Sequence, residues 1–139
     1  MTARVPDRLY IDRADRGLYD DRTLKSEVFA QRENRDQFLF AMCLGFKRGM
    51  RRVLNTREGF FLAKNLRPRD EALIDSIAIY ETGSVDVLAD REEVFRIAEE
   101  FAHTGIWLLH GEITSGQPGS FLKKLELELF DLLEALRNG

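Results

Sequence analysis

The chain has 139 residues, 44% of them hydrophobic, which is the size of one ordinary domain with enough apolar material for its own core. The single cysteine, Cys43, excludes an internal disulfide and a cysteine-rich metal site; no apolar run approaches the roughly 18 residues of a membrane span, and Asp and Arg stud the N-terminal segment where a secretory signal would be apolar. The net charge of -3 conceals a segregation: residues 1–44 balance, residues 45–69 carry eight bases against one acid, Glu58, and residues 70–139 carry fifteen acids against five bases, giving 0, +7 and -10.

These limits point to a cytoplasmic protein forming a single helical domain over residues 1–139. Residues 1–20 carry only scattered anchors, Leu9, Tyr10, Ile11, Leu18 and Tyr19, and read as irregular or as a short peripheral helix. From about Asp21 to Arg32 a weakly amphipathic helix sets Leu24, Val28 and Phe29 on one side, and Asn34 is placed to cap a stronger helix running to about Lys47. The stretch Phe38–Phe46 is apolar all round apart from Gly45, which suits the middle of a bundle. Gly49 and Gly59 interrupt the basic segment, and Phe60, Phe61 and Leu62 suit a short extended piece. Pro68 fits a first helical position, with Leu73, Ile74, Ile77 and Tyr80 as a buried stripe before Gly83 ends the helix. Asp90 with Glu93 reads as a capping box opening a long helix to about His110. After a loop at 114–120, Leu122, Leu125, Leu129, Leu132 and Leu136 recur at steps of three and four, with Phe121, Leu127, Phe130 and Leu133 widening the apolar surface beyond what one intramolecular neighbour covers; a homodimer is the expectation. The fold class is all-α: a single compact helical bundle of five to six helices, with room for a short extended piece near residues 58–64.

Two surfaces are candidate sites. Projecting residues 92–110 at about 100° per residue gathers Val94, Phe95, Ile97, Ala98, Phe101, Ala102, Ile106, Leu108 and Leu109 into one half, and Glu92, Glu93, Arg96, Glu99, Glu100, His103 and His110 into a half that reads as solvated. Trp107 intrudes into that polar half between His103 and His110. Either another element such as the N-terminal segment covers it, or His103, Trp107 and His110 form a partner-binding face. A metal site from His103, His110 and Glu99 is poor, because a seven-residue spacing holds the imidazoles roughly 10 Å apart. The second surface is Lys47, Arg48, Arg51, Arg52, Arg57, Lys64, Arg67 and Arg69. These bases can complement a helix C-terminus and pair with the acidic 70–139 segment, contact nucleic-acid phosphates, or meet an acidic protein partner. No phosphate-cradling glycine loop, metalloprotease motif or Cys/His pairing is present, so neither a catalytic centre nor a cofactor is expected.

The runs FLFAMCLGFKRG (38–49) and DEALIDSIAIYETGSVDVLADREEVFRIAEEFAHTGIWLL (70–109) resemble, in order and spacing, the DNA phosphorothioation-associated (Dnd system-associated) protein 4 family. The shared features are an F-x-F-A-x-x-L-G-F helix, an acidic-aliphatic helix ending in E-T-G, and an E-E-hydrophobic-x-x-x-A-E-E-aromatic-A segment, with similarity over about residues 34–134. The resemblance implies a non-catalytic accessory protein of a bacterial or archaeal DNA sulfur-modification or related defence system. Its partners would be other proteins of the modification and restriction machinery, with DNA a natural ligand for residues 47–69, and it brings no catalytic residues.

Overall fold

The computed structural model describes residues 5–30, 32–115 and 120–138. In chain order the elements are strand β1 (Arg8–Asp12), short helices α1 (Arg16–Tyr19) and α2 (Arg22–Glu27), helix α3 (Asn34–Arg48), strand β2 (Arg57–Leu62), and helices α4 (Pro68–Thr82), α5 (Arg91–Ser115) and α6 (Ser120–Asn138). Single 3-10 turns occupy Arg13–Asp15, Ala63–Asn65 and Val85–Ala89.

Local chemistry sets most of the helix ends. Gly49 and Gly83 stand just past α3 and α4 with φ of 71° and 76°, the left-handed conformation that a side chain disfavours. Pro68 opens α4, where its missing amide costs nothing, and Asp70 reaches back to the Arg67 amide at 3.0 Å. Asp90 accepts the Glu93 amide at 3.1 Å to start α5, which runs five residues past the expected His110. Asn34 does not cap α3: Glu33 holds the cap position, and the Asn34 side chain instead donates to the Phe60 carbonyl at 3.2 Å. Residues 116–119 of the expected 114–120 loop lie outside the described residues.

The all-α expectation is corrected. The protein is mostly helical, but β1 and β2 form a two-stranded antiparallel sheet, with Arg8 opposite Leu62 and Tyr10 opposite Gly59. A bulge between Leu9 and Tyr10 shifts the register by one, leaving Phe60 as the extra residue. The extended piece expected near 58–64 is real; its partner reads as irregular in sequence because five residues alternate too briefly to announce a strand, and the pairing spans about a third of the chain. Leu9 and Ile11 point into the core while Arg8 and Tyr10 face outward.

The core is laid between α3 and α5, which pack more extensively than any other two elements. Their backbones nearly touch. A Cβ on Gly45 would overlap the Phe101 carbonyl, and one on Gly105 would overlap the Ala41 carbonyl, so the two glycines make the crossing possible. Phe38, Met42, Ile97, Phe101, Ile106 and Leu109 are fully buried around it, each burial being worth about 1.5–3 kcal/mol. In α4 the buried apolar residues are Ile74, Ile77 and Ala78; Leu73 is partly exposed, and Tyr80 is exposed, its ring edge-on to Phe46 at 5.3 Å, which corrects the expected stripe.

Candidate functional site

The polar half of α5 is the centre of the molecule's chemistry, and its middle, from Glu99 to His103, is covered, while Glu92 and Arg96 stay exposed as expected. The solvated reading of Glu99, Glu100 and His103 fails because β1, the turn after it and residues 51–57 lie across that face; all three side chains are buried. Glu99 receives the Tyr10 backbone amide on one carboxylate oxygen at 3.0 Å and the Arg57 guanidinium on the other at 3.0 Å. Arg57 also stacks on the Tyr10 ring, 4.2 Å from its centroid. Burial pushes the Glu99 carboxyl up to about 7 despite the nearby guanidinium and amide. At the next residue, Glu100 takes Arg51 at 2.9 Å, and Arg51 reaches Glu81 at 3.2 Å, tying α4 to α5.

His103 sits one turn further along α5. Its Nδ1 lies 2.5 Å from Asp15 Oδ2, and its Nε2 lies 3.3 Å from the Arg52 guanidinium. A guanidinium can only donate, so this geometry fits the tautomer in which Nδ1–H donates to Asp15 and Nε2 accepts from Arg52. The other Asp15 oxygen accepts the Trp107 indole N–H at 2.9 Å, and Arg52 stacks over that indole at 5.4 Å. Burial raises the Asp15 carboxyl above its ordinary range, even with the imidazole and indole beside it. Asp12 goes the other way: burial would raise it, but the amides of Ala14, Asn55 and Thr56 outweigh burial and hold it low.

An aspartate–histidine pair is half of a nucleophile-activating device, but here the second imidazole nitrogen is held by Arg52 rather than by a hydroxyl or thiol. Cys43, whose thiol burial pushes up, lines a different surface, the groove between α3 and α6. Among the described residues no group of three His, Cys, Asp or Glu side chains could hold a metal ion.

The structure also places the eight bases of residues 47–69. Lys47 pairs with Glu128, Arg48 with Glu112 at 3.8 Å, Arg51 with Glu81 and Glu100, Arg57 with Glu99, and Arg67 with Asp36 at 3.0 Å and Asp70 at 2.8 Å. Arg52 is engaged by His103 and Trp107. Among the described residues Lys64 and Arg69 make no ion pair. Most partner acids come from residues 70–139, so the basic and acidic segments meet within the fold. Of the proposed partner-binding trio, His103 is buried, His110 is half-buried with Asp21 at 3.4 Å, and Trp107 keeps 46% of its surface exposed. Sequence reasoning missed Tyr10, Asp12 and Asp15 individually; the signals for them were Trp107 in the polar half, for which the N-terminal segment was one expected cover and on which Asp15 does close, and the abundance of Asp and Arg around the apolar pair Leu9 and Ile11.

Fold and site together define a small, mostly helical protein organised round a buried ionic network. The chain belongs to the DNA sulphur modification system-associated protein 4 family, whose model matches residues 20–131 and so leaves Tyr10, Asp12 and Asp15 upstream of the matched segment. No curated protein and no solved structure matches the chain. Membership ties the protein to a DNA sulphur modification system, and none of its described helices is long and apolar enough to cross a membrane.

Proposed function

We propose that the protein is a non-catalytic accessory component of its DNA sulphur modification system and works by docking on another protein of that system through the face around Trp107 and Arg52. The observation that carries this reading is the state of that pair. Asp15 fixes the indole and His103 fixes the guanidinium, so a half-exposed tryptophan and an arginine, the residue types most enriched among binding hot spots, stand in one rigid arrangement. His110, paired with Asp21, extends the same face.

Docking on DNA through Lys47, Arg48, Arg51, Arg52, Arg57, Lys64, Arg67 and Arg69 has less support, because six of these eight side chains have partners inside the protein. Two measurements separate the readings. The full chain should co-purify with one of the other proteins of its system, and Trp107→Ala should weaken that association about tenfold or more while leaving the melting temperature within a few degrees; undiminished association would remove this face from the proposal. Titration with generic duplex should show no salt-sensitive affinity. A log–log salt slope of about -3 or steeper would mean that some four bases reach phosphates, and would transfer the role to residues 47–69.

A further inference from the structure

The outer side of α6 is apolar and uncovered. Phe130, Leu133 and Leu136 are 58%, 58% and 71% exposed and form a strip on the helix, with Leu129, 53% exposed, at its edge, where it also lines the groove between α3 and α6. The helix meets the rest of the molecule on another side, through half-buried Leu125 and the pairs Lys47–Glu128 and Lys124–Glu112. Along the strip, Glu126, Phe130, Leu133 and Arg137 follow steps of four, three and four residues, the spacing of a coiled-coil seam. Its two ends therefore carry opposite charges about 16 Å apart. Among the described residues neither Glu126 nor Arg137 makes an ion pair within its own chain.

Such a strip is its own complement when a second copy is laid against it antiparallel. Glu126 then meets the other copy's Arg137, Phe130 meets Leu133, and Leu129 meets Leu136, each contact occurring twice by symmetry. A parallel pairing would instead set like charges together at both ends. We propose that α6 is a homodimer interface in which two copies of this chain pair antiparallel through Glu126, Leu129, Phe130, Leu133, Leu136 and Arg137. The strip spans only about three turns, which fits dissociation in the micromolar range rather than an obligate dimer. This interface is separate from the Trp107 face, and the loss of either leaves the other testable.

Sedimentation equilibrium of the full chain should show a monomer of 16.1 kDa in reversible exchange with a dimer. Glu126→Arg and Arg137→Glu should each raise the dissociation constant roughly tenfold or more, because either change turns two attractive contacts into repulsive ones. The combined variant E126R/R137E should recover dimerisation to within about threefold of the natural chain, since the charges are merely exchanged. Both side chains are exposed, so an unchanged circular dichroism spectrum is expected for all three. Monomer alone at every concentration overturns the proposal, as does a dimer indifferent to the single reversals or one the double reversal fails to restore.

Discussion

Glu99 is buried to 2% exposure and titrates near 7, so it should leave a signature in how stability varies with pH. Its folded-state value lies above the ordinary 4.5, so between the two the folded protein binds more protons than the unfolded chain. Stability from this group is therefore greatest in acid, falls as pH rises through that window, and levels off above about 7, by which point burying the charge costs on the order of 3 kcal/mol. Asp12 has the opposite sense: its stabilisation is present above the ordinary carboxylate value and is lost as pH falls below it. Glu99→Gln keeps an acceptor for the Tyr10 amide but no longer titrates. Urea denaturation between pH 4.5 and 7.5 should show the natural chain losing stability relative to this variant as pH rises; parallel curves would mean that Glu99 titrates normally. In the sequence only Trp107, two turns on, hints at a covering element, because a helical projection sorts polar from apolar without telling which polar residues another element covers.

At the scale of elements, the crossing of α3 and α5 governs stability. Gly105→Ala must drive the helices apart at the Ala41 carbonyl, a cost of about 3 kcal/mol or more, or loss of the fold. Gly111 lies on the same helix with nothing within 4 Å of where an added methyl would stand, so Gly111→Ala should stabilise by about 0.5–1 kcal/mol through helix propensity alone. Equal effects of the two changes in chemical denaturation would show that the helices do not approach this closely. Helix boundaries were legible because Pro68, Gly83, Asp90 and Gly49 act on their immediate neighbours. The centrality of α3 was legible too, from a stretch apolar on every side. The strand Arg8–Asp12 was not, since what makes it a strand is a partner at Arg57–Leu62. Nor was the close approach of the two glycines, which depends on which helix faces which.

Across the whole molecule, the charge segregation is a device of assembly: cations of residues 47–69 join α3, α4, α5 and α6 by pairing with their acids. Reversing Arg48, Arg51 and Arg52 to Glu together should lower stability by several kcal/mol, roughly 2–4 of it from Arg51, whose half-buried guanidinium bridges Glu81 and Glu100 and offsets their mutual repulsion. A melting temperature unchanged by the triple reversal would mean these pairs are ornamental and the arginines are held for an outside ligand. The network also has a consequence for trimming the protein. A fragment beginning at residue 20 retains every long helix, yet it deletes the Tyr10 amide from Glu99, the Asp15 carboxylate from His103 and Trp107, and the whole partner strand of β2. What remains is a charged helix face stripped of its cover and a strand with both edges open, a template for association with any other extended chain. Such a fragment should be recovered as aggregates, whereas the same fragment supplied with a separate peptide of residues 5–19 should regain solubility.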